Sequence, residues 1–443
     1  MRRISGQIKD QLIQKALQRR MQQIDAAPSA AAAAASANAI PPEFYDFALQ
    51  PGYQQVRLMR EGGQKLGVDS PFFLVHEGSA SAHSRIDGHE VLNYASYNYL
   101  DLAAHPRVRE AAQAAIAAYG TTVSASRIVA GERPFHRELE RSLAALYEAD
   151  DALAMVSGHA TNVSAIGHLL GPRDLILHDE YAHNSIVLGS TLSGAQRVPF
   201  THNDLDALEA LLRERRTKAE RTLIVVEGIY SMDGDFPDLP RLLEIKQRHH
   251  AWLMVDEAHG LGVLGSTGHG LAEHFCVDPR EVDIWMGTLS KTLSSCGGFI
   301  AGSQALIDNL RFLAPGFLYS VGLAPPLAAA AQAALEVMRE EPERVARLQA
   351  VGHEFVARAT ALKLDTGTSS GHAVVPWIVG GSLHAVRLSA LLLQEGVNVQ
   401  PILYPAVPEK RARLRFFMSS AHSETDLERT FEAISRVLKT HPG

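Results

Sequence analysis

The stretch of sequence that decides the fold class reads Trp285-Met-Gly-Thr-Leu-Ser-Lys-Thr-Leu-Ser-Ser-Cys-Gly-Gly298. The mostly apolar residues 282–286 predict a buried β-strand, and this strand leads to Lys291 among small hydroxyl residues and glycines. A second apolar run, residues 251–255, ends in Asp256-Glu-Ala-His-Gly260. One carboxylate and one lysine therefore follow two successive predicted strands, where they can hold a ligand from two ends.

This pair has the chemistry that pyridoxal phosphate requires. A lysine amine forms a Schiff base with the aldehyde of the cofactor, and a carboxylate keeps the pyridine nitrogen protonated so that the ring accepts electrons. Thr288 and Ser290 offer hydroxyls for the phosphate. A lysine that follows a strand is ordinarily just solvated, so the prediction depends on Lys291 and Asp256 together rather than on either motif alone.

Composition indicates an ordinary globular protein with 46% hydrophobic and 21% charged residues, and 443 residues are enough for two domains in close contact. A net charge of −7 gives no electrostatic footprint for nucleic acid. The cysteines Cys276 and Cys296 cannot form a disulfide framework, which favours a reducing compartment. The sequence shows no apolar run long enough to span a bilayer. We therefore expect a soluble cytoplasmic protein.

Residues 1–42 are predicted to be an appendage to the rest of the chain. Apolar side chains at helical spacing, opposite a basic face, predict an amphipathic helix over residues 1–24. An alanine-rich linker bracketed by prolines follows over residues 25–42. The helix has two interpretations that the sequence leaves open. It packs on its own protein or a dimer partner, or it docks an acidic protein.

The main part of the chain shows an α/β pattern. Short apolar runs alternate with helical segments of about a dozen residues, which predicts a mainly parallel sheet covered on both faces. Ligands of such sheets bind beyond the carboxyl ends of the strands. Polar clusters stand at five predicted strand ends, beginning at Ser157, His178, Glu227, Asp256 and Lys291. We expect an N-terminal arm at residues 43–95, a large domain at 96–323 and a smaller α+β domain at 324–443.

Three other classes of protein share parts of these motifs. The sequence Asp-Glu-Ala-His also occurs in a group of helicases, but this chain has no Gly-x-x-x-x-Gly-Lys-Ser/Thr phosphate loop. His178, Asp179 and His183 could ligate a metal, but their spacing matches no familiar zinc pattern, so no metal is predicted. A protein that kept the fold for binding alone would be expected to lack Lys291 or Asp256, and both are present.

The ordered set of motifs resembles the α-oxoamine synthases, a family of fold-type I enzymes that depend on pyridoxal phosphate. The resemblance covers about residues 43–440 and implies a large domain with a mainly parallel seven-stranded sheet, a smaller C-terminal α+β domain, and a homodimer with shared active sites. The matching motifs are, in order, Asn98-Tyr99-Leu100, Ser126-Arg127 with Gly131 and His136, Ser157-Gly-His-Ala-Thr-Asn162, Glu227 with Ser231-Met-Asp-Gly234, Asp256-Glu-Ala-His-Gly260, Gly287-Thr-Leu-Ser-Lys291, Cys296-Gly-Gly298 and Ala412-Arg-Leu-Arg415.

The resemblance also implies roles for the residues at matching positions. Lys291 would bind the cofactor's aldehyde and then remove the Cα proton of the amino acid. Asp256 would pair with the pyridine nitrogen, His259 with the phenolic oxygen, and His183 would stack on the ring. The other cofactor contacts would come from Ser157, Gly158, His159, Asn162, Glu227, Ser231, Thr288, Ser290 and Ser320. Asn98 and Ser320 would reach the neighbouring subunit's site, and Asn98 and Arg413 would contact the substrate.

The implied reaction is a decarboxylative condensation of an amino acid with an acyl thioester, which gives an α-amino ketone. Residues 124–134 and 290–298 look most like family members that accompany polyketide or fatty-acid-like assembly lines, which predicts an acyl carrier protein as the donor's carrier. The alternative within the family is a CoA-using 8-amino-7-oxononanoate synthase or 2-amino-3-ketobutyrate CoA ligase. The alternative from another class is an aminotransferase-like enzyme of the same fold.

Overall fold

The computed structural model describes residues 40–65 and 70–441. The predicted amphipathic helix at residues 1–24 and nearly all of the linker lie outside the described residues. The chain divides into two compact units, and the larger comprises His76–Trp377 and Arg415–Glu432. The described part of the smaller unit comprises residues 40–65, 70–75, 378–414 and 433–441.

The larger unit begins with three short strands that pair antiparallel, β1 (His76–Glu77), β2 (His83–Ile86) and β3 (His89–Asn93). Its centre is a seven-stranded sheet made of β4 (Asp151–Met155), β5 (Leu175–Asp179), β6 (Gln196–Phe200), β7 (Thr222–Glu227), β8 (Trp252–Asp256), β9 (Ile284–Thr288) and β10 (Gly298–Gly302). The order across the sheet is β4-β10-β9-β8-β7-β5-β6. Strands β5 to β9 pair in parallel, and β10 runs antiparallel to both of its neighbours, β4 and β9. The predicted mainly parallel sheet is thus confirmed.

The sequences of the central strands explain why helices cover both faces of the sheet. Every residue of β7 is buried, and its run Leu-Ile-Val-Val is typical of a strand that meets no solvent on either side. One layer of the core lies between the sheet and the helix Gly158–Leu169, with Met155, Ile166 and Met286 among its buried members. The helices of this unit are Pro106–Tyr119, Pro134–Leu146, Gly158–Leu169, Asn184–Ser193, Leu205–Arg215, Leu239–His249, Leu271–Phe275, Gln304–Leu313, Pro315–Leu318, Pro325–Glu340 and Glu343–Ala361.

The division into units differs from the predicted boundary between residues 323 and 324. The helix Pro325–Glu340 falls in the larger unit, where it packs against the helices Pro106–Tyr119 and Pro134–Leu146. Its buried face is rich in alanine, including Ala328, Ala331 and Ala334. Small side chains let helix backbones approach closely, which is why this segment belongs to the larger unit despite its position after the seventh strand of the sheet.

The smaller unit contains the helices Pro51–Lys65 and Ser382–Gln394 and the strands β12 (Val397–Asn398) and β13 (Gln400–Ile402). The helix Ser382–Gln394 packs against both strands. The chain passes between the units within β11 (Val374–Gly380), within β14 (Ala412–Phe417) and within the helix Glu424–Thr440. Among the helices of the described residues, none combines the length and the apolar composition needed to cross a membrane.

Candidate active site

The polar clusters that follow the predicted strands meet at one edge of the seven-stranded sheet. Strand register places Glu227, the last residue of β7, beside Asp256, the last residue of β8, and places Asp256 beside Met286 of β9. Lys291 follows β9 within the same loop region. Parallel strands end at the same sheet edge, so separate sequence motifs converge on a common site.

Asp256 is buried and its carboxylate is fixed by hydrogen bonds from two directions. The side-chain amide of Asn162 donates to Oδ2 at 2.8 Å, and the backbone amide of Ala258 donates to Oδ1 at 2.9 Å. The same Asn162 nitrogen also lies 3.0 Å from Oγ of Ser185. Donors of this kind stabilise an ionised carboxylate, which is the form that can hold a proton on a pyridine nitrogen.

Lys291 has an environment that favours a reactive amine. Burial lowers its pKa to about 8; the carboxyl groups of Asp256 and Glu227 oppose this shift, and the charge of Arg415 adds to it. A substantial fraction of the amine is therefore unprotonated near neutral pH, the form that attacks an aldehyde. Its Nζ atom lies 5.8 Å from the centroid of the Tyr97 ring.

His259 is oriented by a tyrosine that the sequence analysis quoted without assigning it a role. The hydroxyl oxygen of Tyr99 lies 2.6 Å from Nδ1 of His259, and the imidazole stacks parallel to the ring of Phe417. Burial lowers the pKa of His259 well below its usual value, and the charges of Lys291 and Arg415 add to that shift. Burial raises the pKa of Tyr99, so its hydroxyl keeps its proton and can donate a hydrogen bond to Nδ1. In that tautomer the neutral imidazole carries its own proton on Nε2.

His183 is the N-cap residue of the helix Asn184–Ser193. Its backbone amide donates to Oε1 of Glu227 at 2.6 Å, and its Nδ1 lies 2.7 Å from Oγ of Ser185. Burial lowers the pKa of His183, with Asp256 opposing the shift. Burial raises the pKa of Glu227 well above its usual value, and the neighbouring charge of Asp256 adds to this. Glu227 therefore anchors the backbone of His183 from a buried position beside Asp256.

A cradle for an anion lies where the helix Gly158–Leu169 begins. A Cβ atom on Gly158 would stand 2.7 Å from Oγ1 of Thr288, so only glycine permits this close approach. Oγ1 of Thr288 and Oγ of Ser290 are 2.7 Å apart, and the hydroxyl of Ser157 caps the helix by accepting from the Ala160 amide. Helix-start amides with adjacent hydroxyls form a phosphate-binding donor set. His159, in the first turn of that helix, and Ser290 are exposed.

The two arginines of the motif Ala412-Arg-Leu-Arg415 fall in different units. Arg413 belongs to the smaller unit, where it is buried and its Nε donates to the carbonyl of Arg411 at 3.2 Å. Arg415 belongs to the larger unit, and its Nη1 donates to the carbonyl of Ser231 at 3.0 Å. The guanidinium of Arg415 also lies 4.6 Å from the centroid of the Phe417 ring, which in turn stacks on His259. Arg415 therefore lies in the same unit as Lys291 and His259, and its charge acts on both. Its motif alone did not reveal this position.

Two further predicted site residues, Asn98 and Ser320, have different surroundings in the structure. The Asn98 side chain is buried in a turn, where Oδ1 accepts from the Leu102 amide at 2.9 Å and Nδ2 donates to the Ala80 carbonyl. Ser320 lines a small cavity together with Met155 and Val156, the residues that precede Ser157. Within the described residues, Asn98 closes a turn of its own chain, and Ser320 lies near the start of the anion cradle.

This arrangement of a buried carboxylate, an amine of lowered pKa and an anion cradle fits the three ends of pyridoxal phosphate. The fold and the site thus define a fold-type I enzyme that uses this cofactor. The family model described as aminotransferase class I and II matches residues 89–434. The chain belongs to the α-oxoamine synthase family, whose members depend on pyridoxal phosphate and condense an amino acid with an acyl thioester with loss of carbon dioxide.

Individual relatives support this membership. The 8-amino-7-oxononanoate synthase of Symbiobacterium thermophilum is 40% identical over 354 residues, covering 80% of this chain and 90% of that protein. The synthase of the same name from Geobacter sulfurreducens is 40% identical over 368 residues, covering 82% and 92%. Among solved structures, the serine palmitoyltransferase of Sphingomonas wittichii superposes with a TM-score of 0.85 at 26% identity, covering 89% of this chain and 98% of that chain.

Proposed function

We propose that this protein takes its acyl group from an acyl carrier protein and joins the acyl carbon to the Cα of an amino acid, releasing carbon dioxide and the carrier thiol. The product is an α-amino ketone. The observation that carries the chemical part of the proposal is the convergence of Lys291, Asp256 and the cradle at Gly158 on one sheet edge. That set holds a pyridoxal phosphate molecule at its aldehyde, its pyridine nitrogen and its phosphate.

Bound pyridoxal phosphate supplies an electron sink for the carbanion that remains when the Cα proton leaves. Asp256, fixed by Asn162 and the Ala258 amide, keeps the proton on the pyridine nitrogen. Lys291 first holds the aldehyde through its amine and later accepts the Cα proton at Nζ. A pKa of about 8 suits that proton transfer near neutral pH.

The two buried histidines act as neutral groups. With Tyr99 at Nδ1, His259 would donate from Nε2 to the phenolic oxygen of bound cofactor. His183 would cover one face of the cofactor ring and polarise the carbonyl of the incoming thioester. Its backbone is held by Glu227, so the ring stays in place when the acyl donor arrives.

Arg415, rather than the predicted Arg413, binds the carboxylate of the amino acid in this proposal. Its guanidinium is oriented by the Ser231 carbonyl and by the face of Phe417. A fixed guanidinium fork recognises a carboxylate through two parallel hydrogen bonds. The charge of Arg415 helps to lower the pKa values of Lys291 and His259. This electrostatic effect supports a place for Arg415 at the site.

We further propose that the enzyme works as a homodimer with active sites at the subunit interface. Two loops of the larger unit, joined by a hydrogen bond from the Gly322 amide to the Ala125 carbonyl, expose several apolar side chains. Among them Val129 is 80% and Tyr319 87% exposed. Neighbouring exposed apolar side chains of this kind mark interaction surfaces, and a second copy of the chain is the partner that the resemblance to the α-oxoamine synthases implies. Ser320 lies between Tyr319 and Val321, where it can meet the second copy.

The carrier-protein donor is supported by the tract at residues 124–134 and by the basic residues of segment 1–24, which suit an acidic partner. We place the reaction in cytoplasmic polyketide-like or lipid-like biosynthesis. The test presents one acyl group on CoA and on a carrier protein, with a panel of amino acids, and measures carbon dioxide release. We expect release that requires the thioester and is faster with the carrier. Equal rates with both donors contradict the carrier, and release or transamination without thioester contradicts the condensation.

A second candidate is 8-amino-7-oxononanoate synthase activity with a CoA thioester. Relatives of that name at 40% identity, each matched over about nine tenths of its length, favour it. The discriminating experiment expresses this protein in a bacterial strain that lacks its own synthase and needs 8-amino-7-oxononanoate for growth. Growth that depends on Lys291 would support this candidate over the carrier-dependent reaction, and no growth with a well-expressed protein would disfavour it.

A further inference from the structure

We propose that His202 is a positioning residue that fastens together the two loops carrying His183 and Ser231. His202 is not one of the residues to which the proposed reaction gives a direct role. The inference rests on the site roles proposed above for His183 and for Arg415, which the Ser231 carbonyl orients. We call the charged group formed by His202, Asp179 and Asp235 the clamp. The clamp holds the loop of His183 and the loop of Ser231 at the same time.

The His202 ring lies between two carboxylates. Its Nδ1 is 2.9 Å from Oδ1 of Asp179, and its Nε2 is 3.0 Å from Oδ2 of Asp235. A carboxylate only accepts hydrogen bonds, so both ring nitrogens must donate, and only the imidazolium form does that. The geometry therefore requires a cation at His202.

The surroundings of the ring are consistent with that charge. Tyr181 stacks on the imidazole at 4.4 Å between centroids, and Tyr230 meets it edge-on at 4.6 Å. Burial by itself would lower the pKa of His202, but the hydrogen bonds and charges of Asp179 and Asp235 raise it to about 10. The side chain is only 14% exposed, so the two ion pairs are poorly screened by solvent.

One arm of the clamp leads to His183. Asp179 is the last residue of β5, and its Oδ1 also accepts from the Tyr181 amide at 2.8 Å while its backbone carbonyl accepts from the Ala182 amide. These bonds shape the turn that delivers His183 to the start of its helix. A shift of Asp179 would therefore be passed directly to the His183 ring.

The other arm leads to Ser231 and so to Arg415. The backbone carbonyl of Asp235 accepts from the Tyr230 amide at 2.9 Å, which closes the loop that contains Ser231. The hydroxyl of Thr368 adds a hydrogen bond to Oδ2 of Asp235 at 2.7 Å. Asp235 thereby fixes the Ser231 carbonyl, the acceptor that orients the guanidinium of Arg415.

Loss of the charge on His202 would leave two largely buried carboxylates facing each other without a cation between them. Uncompensated buried charges are strongly unfavourable, and separation of the two loops relieves their repulsion. Movement of the β5 loop displaces His183 and acts on kcat and on cofactor binding. Movement of the β7 loop displaces Arg415 and acts on the KM for the amino acid.

The test uses the holoenzyme of His202→Gln. A glutamine side chain has one amide donor group, so it cannot serve both carboxylates in the way that imidazolium does. We expect kcat/KM to fall by about 100-fold, the loss that small misplacements of reacting groups produce. We also expect weaker binding of pyridoxal phosphate to the apo-protein and a changed visible circular dichroism of the bound cofactor.

A second variant, His202→Gln with Asp235→Asn, restores a hydrogen-bonded chain in which the glutamine donates to Asp179 and accepts from the asparagine, so that Asp179 is the one remaining charge of the three. We expect it to recover most of the lost cofactor affinity and kcat/KM. Asp235→Asn alone keeps the ion pair of His202 with Asp179 and still offers Nε2 an acceptor oxygen, so it should fold even if the single His202 variant does not, and its kcat/KM should fall less than that of His202→Gln.

The control for a purely structural effect is Lys246→Gln. It breaks a comparable part-buried ion pair, with Nζ of Lys246 2.8 Å from Oδ2 of Asp283, beside the starts of β8 and β9 at the opposite edge of the sheet. We expect this control to lower the melting temperature while the dichroism and kcat stay native.

If His202→Gln changes the melting temperature alone, as the control does, or if the double variant is no better than the single one, the clamp is refuted. Because cofactor affinity and dichroism are measured without an acyl donor, these outcomes are independent of whether the proposed condensation is correct.

Discussion

The hydroxyl of Tyr99 lies 2.6 Å from Nδ1 of His259, and both side chains are buried in the larger unit. When the hydroxyl donates in this contact, the neutral imidazole carries its proton on Nε2. The contact also connects a residue near the start of the larger unit to the loop after β8, far apart in the sequence. A single buried hydroxyl thus holds a site histidine from its Nδ1 side.

Replacing Tyr99 by phenylalanine removes that hydroxyl and keeps the ring. Nδ1 of His259 would be buried without its donor, a loss of about 1–3 kcal/mol, and the imidazole could adopt the other tautomer. We therefore expect the free energy of unfolding to fall by about 1–3 kcal/mol and kcat to fall by about 10-fold. Steady-state kinetics and thermal unfolding of the two proteins measure both quantities. Unchanged kcat would show that His259 is oriented by other contacts.

Replacing Lys291 by alanine removes both the group that holds the aldehyde and the base for the Cα proton. We expect the visible absorbance band of the lysine-bound cofactor to disappear and turnover to fall to background. Lys246→Ala, a change at the other edge of the sheet, should retain the band and the activity. Normal turnover by the Lys291 variant would contradict the site assignment altogether.

Replacing Asp256 by asparagine keeps the size of the side chain but removes the charge that holds the pyridine proton. We expect the cofactor to remain bound, while exchange of the amino acid's Cα proton with solvent deuterium slows by about 100-fold, as when one preorganised electrostatic contact is removed. Proton nuclear magnetic resonance of the amino acid follows this exchange without any acyl donor. Exchange at the native rate would mean that another carboxylate performs this task.

The two arginines of the motif at residues 412–415 give a matched pair of variants. Arg415→Lys loses the fork that binds a carboxylate, and a lost charged hydrogen bond of about 1.5–3 kcal/mol raises the KM for the amino acid about 10- to 100-fold. Arg413→Lys should leave this KM close to native, because Arg413 belongs to the other unit and its Nε bonds to the Arg411 carbonyl. The reverse result, with the effect at Arg413, would restore the prediction made from the sequence.

His422 predicts how stability changes in acid. It is buried, stacks on Tyr94 at 4.3 Å and accepts a hydrogen bond at Nδ1 from the Ser419 amide, and burial lowers its pKa from 6.5 to about 4. The unfolded chain therefore binds a proton below pH 6.5 that the folded chain refuses until about pH 4. As the pH is lowered from 6.5 to about 4, the free energy of unfolding should therefore fall, and this residue accounts for up to about 3 kcal/mol of the decrease.

The comparison for this effect is His422→Phe, which keeps an aromatic ring against Tyr94 and cannot take up a proton. Urea unfolding at a series of pH values from 4 to 8 should give a shallower slope for the variant below pH 6.5. Parallel slopes for the two proteins would show that other groups account for the loss of stability in acid.

The sequence by itself determined the elements whose physics is local. Continuous apolar runs such as Leu-Ile-Val-Val in β7 predicted strands buried on both faces, and the helices between them required parallel pairing. Because parallel strands end at one sheet edge, the positions of Glu227, Asp256 and Lys291 after successive strands were enough to predict that they share a site. In the structure, strand register places Glu227 directly beside Asp256.

Only the tertiary structure decided what depends on contacts between distant segments. Alternation along β14 puts Arg413 and Arg415 on the same face, so the strand pattern cannot choose between them, and the proposal for Arg415 rests on its tertiary contacts with the Ser231 carbonyl and the Phe417 ring. Asn98 matches a motif, but the turn around it uses its amide within its own chain. Tyr99 with His259, and His202 with Asp179 and Asp235, are pairs whose chemistry arises from proximity alone. Hydrogen bonds and charge pairs of this kind have no signature in sequence spacing, because the fold brings their partners together.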